Sequence, residues 1–85
     1  MSHWFVYLLE CADGTWYCGM TNDLDKRVEK HNSGKGAKYT RSRLPVRLMA
    51  WSEVRSKGDA LRLERKVKGV RKDRKRSILE AGWPQ

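Results

Sequence analysis

Long apolar runs, paired cysteines and, through its first 25 residues, any Lys or Arg are what this chain lacks. The first apolar run, Trp4 to Leu9, is six residues long and has no basic flank before it. It is too short to span a bilayer and does not read as a secretory signal, so the cytoplasm is the expected compartment and no membrane partner is expected. The two cysteines, Cys11 and Cys18, are too few for a disulfide framework and form no C-x-x-C metal pattern, so they read as small reduced core or strand residues. With 85 residues the chain has room for one domain with one modest core, and it contains no internal repeat.

What is present is charge, and it is segregated. The net charge is +9, yet residues 1–25 hold only acids (Glu10, Asp13, Asp23 and Asp25), so all 19 basic residues lie between Lys26 and Arg76. From Arg55 to Arg76 there are 11 basic residues against Asp59, Glu64 and Asp73. That density suits a polyanion, because each phosphate contact releases counterions, and nucleic acid is the expected partner. A solvated basic face without a ligand is the plainer alternative.

Trp4–Leu9 and Thr15–Thr21 are rich in aromatic and β-favouring residues and flank Ala12-Asp13-Gly14, which predicts a β-hairpin. A three-residue loop with Gly14 in the left-handed conformation pairs Tyr7 with Gly19 and Leu9 with Tyr17. Both tyrosines then share one face, roughly 7–8 Å apart at the backbone, and Gly19 leaves an open spot where a ligand could approach. Thr21-Asn22 offers a helix N-cap, and a helix is expected over about 23–31 with Leu24, Arg27, Val28 and His31 on one stripe. A mobile basic loop to Arg43, a third strand over 45–54, and helices over about 57–68 and 72–81 complete the order β, β, α, β, α, α. The fold class is therefore α+β with a small, mostly antiparallel sheet.

Glu64 shares the inner stripe of its helix with Ala60 and Val67, where an unpaired carboxylate is costly. It serves either as a ligand for Mg²⁺ or Mn²⁺, ions that keep several waters and lean on substrate phosphates, or as the partner of Arg27 or another basic residue. Arg27 offers a bidentate grip on a phosphate. His31 either exchanges a proton or caps its helix. Tyr7 and Tyr17 are ordinary strand aromatics unless their shared face is a site, and Tyr7 acts as a base only where a nearby cation stabilises phenolate or it relays a proton. Trp4, Trp16, Trp51 and Trp83 serve either the core or base stacking.

These residues form an ordered string, Tyr-x9-Tyr-x-Gly-x-Thr-x-x-Leu-x-x-Arg-x-x-x-His-Asn, running from Tyr7 to Asn32 and followed by Lys38-Tyr39-Thr40-Arg41 and Glu64. The string resembles the GIY-YIG nuclease superfamily, most closely its compact stand-alone bacterial members, over about residues 4–70. The resemblance implies a three-stranded antiparallel sheet flanked by helices and metal-dependent hydrolysis of DNA phosphodiesters. It gives Tyr7 the role of general base, Tyr17 that of orienting phosphate or water, Arg27 that of stabilising the scissile phosphate, and Glu64 that of holding one divalent ion. His31 falls at a polar catalytic position, and Gly19, Asn32, Lys38, Tyr39 and Arg41 are expected to meet substrate. Phe5, Val6 and Cys18 depart from the name motif at strand positions where an apolar side chain suffices. A chain of this length has no room for a separate DNA-recognition domain, so specificity is expected to be low and directed by DNA structure or by a partner protein. A monomer acting in DNA repair or processing is the expected form. The alternative is a nucleic-acid-binding module that keeps the fold without hydrolysis.

Overall fold

The computed structural model describes residues 3–82, so the expectation for Trp83 lies outside the described residues. Strands β1 (Trp4–Glu10), β2 (Trp16–Thr21) and β3 (Arg47–Val54) form one sheet in the order β2-β1-β3, with both pairings antiparallel. Helices α1 (Leu24–Asn32), α2 (Lys38–Arg41), α3 (Lys57–Lys68) and α4 (Lys72–Ala81) flank it. The hairpin closes as its sequence predicts. Cys11 N–H donates to the Thr15 carbonyl at 2.8 Å, Gly14 has φ +82°, and Tyr7 stands opposite Gly19 with Leu9 opposite Tyr17.

Strand alternation sends side chains to two separate cores. Val6, Leu8, Cys18, Ala50 and Val54 pack under Ala60, Leu63 and Val67 of α3 and Leu79 of α4. Each such buried Val or Leu stabilises the fold by roughly 1.5–3 kcal/mol. On the other face, Tyr7, Leu9, Cys11 and Val46 pack with Tyr17, Leu44, Leu48 and the α1 residues Leu24 and Val28. Trp4 and Trp16 lie against the first core, under the ammonium groups of Lys57 and Lys72 respectively, whereas Trp51 is 53% exposed. Lys72 Nζ also donates to the Gly14 carbonyl at 2.8 Å, which fastens α4 to the hairpin tip. No helix among the described residues is long and apolar enough to cross a membrane.

Four local features differ from the sequence reading. Asp23, not Thr21 or Asn22, caps α1: its carboxylate accepts from Lys26 N–H at 3.1 Å, while Thr21 Oγ1 accepts from Asp23 N–H. The segment expected as a basic loop contains α2, which buries Thr40 completely. Strand β3 starts at Arg47 rather than Pro45, since proline has no N–H to pair and the Val46 N–H is taken by the Asn32 side chain. A bulge follows Leu8, which pairs with Ala50 while Leu9 pairs with Leu48.

Candidate active site

Tyr7 occupies the middle of β1 and is 1% exposed, with its ring centroid 6.4 Å from that of Tyr17. Gly19 is not the open approach its missing side chain suggests. A Cβ at that position would lie 2.5 Å from the Tyr7 hydroxyl and 2.7 Å from Cζ, so the tyrosine ring itself lies across the glycine. Glycine at this register position lets Tyr7 reach over β2 toward α1.

Helix α1 then delivers Arg27 and His31 from the stripe that carries Leu24 and Val28. His31 Nε2 lies 3.0 Å from the Tyr7 hydroxyl, and Arg27 Nε donates to that oxygen at 3.4 Å. His31 is fully buried, and its ring packs edge-on to Tyr7 at 6.0 Å and to Tyr17 at 5.3 Å. It therefore faces the tyrosines rather than the solvent at the helix end. Burial, with the Arg27 charge beside it, lowers the imidazole pKa to about 4, so it is neutral at pH 7. Burial likewise raises the Tyr7 phenol above its usual value of 10, and the hydrogen bond and charge of Arg27 oppose that rise.

Behind the imidazole stand two residues that the sequence reading did not single out for a role. Thr40 Oγ1 is 2.9 Å from His31 Nδ1 and 2.9 Å from the Ala37 carbonyl. Gly36 is packed so tightly on His31 that a Cβ there would lie 2.8 Å from the histidine Cα. Thr40 was visible only as a member of the Lys38-Tyr39-Thr40-Arg41 string, and Gly36 only as one of a run of loop residues.

The remaining expected residues divide. Tyr39 stacks on Tyr17 at 6.0 Å, carries the Arg43 guanidinium 4.0 Å over its ring, and stays 39% exposed. Lys38 and Arg41 are exposed on α2. Asn32 does not face the cluster: its amide accepts from Val46 N–H at 2.7 Å and donates to the Val46 carbonyl at 3.0 Å. That pairing fastens the 33–46 segment to α1, while the residue itself stays exposed at the end of the helix.

Glu64 stands on α3, the helix packed against the opposite face of the sheet from α1. Its carboxylate is paired with Lys68 at 3.8 Å, not with Arg27, and is 19% exposed. It is close enough to β2 for its charge to reinforce burial in pushing the Cys18 thiol up to about 12. A cavity of about 250 Å³ lies at the same strand, lined by Tyr17 and Tyr39 together with Cys18, Lys68 and Lys75, so the two faces communicate around the β2 edge. No cluster of three or more His, Cys, Asp or Glu among the described residues could hold an ion. The donor set of Glu64, one oxygen ligand loosely held by a lysine, fits a hard cation that keeps most of its waters.

Comparison with known proteins agrees with this fold. The GIY-YIG catalytic domain model matches residues 3–77. The UPF0213 protein BH0048 of Halalkalibacterium halodurans is 51% identical over 79 residues, covering 93% of this chain and 83% of that one. The solution NMR structure of the UPF0213 protein BH0048 from Bacillus halodurans superposes with a TM-score of 0.57 at 48% identity, over 93% of this chain and 84% of that one. The solution NMR structure of the protein EF2693 from E. faecalis gives 0.63 at 34% identity, over 95% and 85%. With the ββααβαα order, the paired strand tyrosines and the α1 arginine already in view, the chain belongs to the GIY-YIG catalytic domain family.

Proposed function

We propose that this protein is a divalent-metal-dependent endonuclease that hydrolyses DNA phosphodiester bonds with low intrinsic sequence specificity. The observation that carries the reading is the buried Tyr7 hydroxyl, held between a neutral imidazole and a guanidinium. A phenol alone is a poor base at pH 7, but here a water proton passes to the Tyr7 oxygen as the phenolic proton passes to His31 Nε2, which at a pKa of about 4 holds it only transiently. Arg27 offsets the charge that builds on the phosphate beside Tyr7. Tyr17, stacked between the cluster and Tyr39, orients the attacked phosphate, and Tyr39, Lys38 and Arg41 contact the flanking strand.

Glu64 is the residue that would hold Mg²⁺ or Mn²⁺. Such an ion supplies charge neutralisation at the phosphate when bound. Glu64, 19% exposed and held only by Lys68 at 3.8 Å, leaves carboxylate oxygen available to a cation that would bridge it to phosphate. The basic surface of α3 and α4 grips the backbone without reading bases, which leaves targeting to DNA structure or to a partner protein. The expected setting is a cytoplasmic monomer working in DNA repair or processing.

Labelled single-stranded, flapped and duplex DNA incubated with the purified protein, with and without Mg²⁺ or Mn²⁺, tests the reading. Cleavage should require metal and fall about 10²–10⁴-fold in Tyr7→Phe and Glu64→Ala. If both variants cut as well as the parent, the site assignment fails. If nothing is cut while binding weakens steeply with salt, the protein is a nucleic-acid-binding module.

A further inference from the structure

We propose that Thr40 is the positioning residue that fixes the His31 tautomer: its hydroxyl accepts from Nδ1–H and so leaves Nε2 free to take the Tyr7 proton. The inference rests on the nuclease reading for its consequence, but not for its geometry.

Hydrogen-bond accounting supports it. The Thr40 hydroxyl has one hydrogen and two neighbours at 2.9 Å, the Ala37 carbonyl and His31 Nδ1. If that hydrogen goes to the Ala37 carbonyl, Nδ1–H donates to Thr40 and Nε2 accepts from the Tyr7 hydroxyl at 3.0 Å. Arg27 donates to the same phenolic oxygen, so every hydroxyl and ring nitrogen in the chain is used. If the Thr40 hydrogen goes to Nδ1 instead, Nε2–H points at Tyr7. The phenolic hydrogen of a residue only 1% exposed then has no acceptor in the cluster, which is the costlier arrangement.

A second donor makes the choice depend on Thr40. Ala37 N–H lies 3.4 Å from Nδ1, and a bond from it requires the opposite tautomer. The imidazole thus sits between a near hydroxyl that leaves Nε2 bare and a more distant amide that protonates it. In the first state Tyr7 has somewhere to send its proton as it takes one from the attacking water, and the proton on Nε2 returns through the Tyr7 hydroxyl after turnover. In the second state that transfer is blocked. The charged and titratable groups facing His31 are Arg27, Tyr7 and Tyr17, and they are the same in both states.

The test reads the tautomer directly, by two-bond ¹H–¹⁵N correlation of the imidazole nitrogens at pH 7. The parent should show a protonated Nδ1 and an unprotonated Nε2 at His31, with Thr40→Ser unchanged. Thr40→Val should exchange the two nitrogens and slow DNA cleavage tenfold or more, while Thr40→Ser stays within about twofold of the parent. A parent with Nε2–H, or a valine variant that keeps the parent tautomer, overturns the proposal. The parent spectrum alone decides if the valine variant does not fold. Correct tautomers in a protein that cuts no DNA would sink the nuclease reading and leave the Thr40 assignment standing.

Discussion

The buried imidazole of His31 has a measurable consequence for stability. Unfolded, it takes up a proton near pH 6.5; folded, it does so only near pH 4. Between those values the unfolded chain binds more protons, so acidification favours unfolding, by up to about 1.4 kcal/mol per pH unit. Urea midpoints measured from pH 7 to pH 4 should fall for the parent and follow a flatter course in His31→Gln; equal slopes would show that His31 is not the group responsible. At this scale Arg27 and His31 were legible, because helical spacing alone puts them on the stripe of Leu24 and Val28. Gly19 was misread because a sequence shows a missing side chain but not which neighbour fills the gap, here Tyr7. Thr40 carries no periodic signal, since its role comes from a contact with a residue nine positions away.

Among the elements, α3 and α4 were legible to their ends. Ser56 accepts from Asp59 N–H at 3.1 Å, as the sequence spacing of a cap requires, and Gly69 closes the helix. Helix α2 was not legible, because four residues carry no hydrophobic period and the turn is held by Thr40 and by the Arg43 bond to the Tyr39 carbonyl at 2.7 Å. The bulge after Leu8 is likewise a property of pairing with β3 rather than of either strand. Asn32 ties these pieces together by bonding both polar groups of Val46. Asn32→Ala should therefore cost about 1–3 kcal/mol and expose the Val46 amide to rapid hydrogen exchange. Unchanged protection at Val46 would show that the segment is held by its other contacts. Because the same segment brings Gly36 and Thr40 against His31, loosening it should also disturb the imidazole resonances.

The whole molecule distributes its chemistry around an edge. Tyr7, Tyr17, Arg27 and His31 occupy one face of the sheet, and Glu64 and the basic helices lie on the other, with β2 between them as an outer strand. The sequence left Glu64 open as a metal ligand or as the partner of Arg27 or another basic residue, and the structure pairs it with Lys68 on a helix packed against the face away from α1, a relation that helical periodicity has no means of encoding. Charge segregation along the chain was legible but does not follow this division: α1 and α2 carry five Lys or Arg on the tyrosine side, and α3 and α4 carry nine on the other. The shared strand also carries Cys18, whose thiol burial raises to about 12, and Cys11 is buried in the second core. A thiol in that state is scarcely nucleophilic. The native protein should therefore leave a chromogenic disulfide reagent untouched until it opens, then consume two equivalents; rapid uptake by folded protein would contradict the burial. A single cysteine added to the outer surface of α4 could then carry a probe alone, with both native thiols left in place.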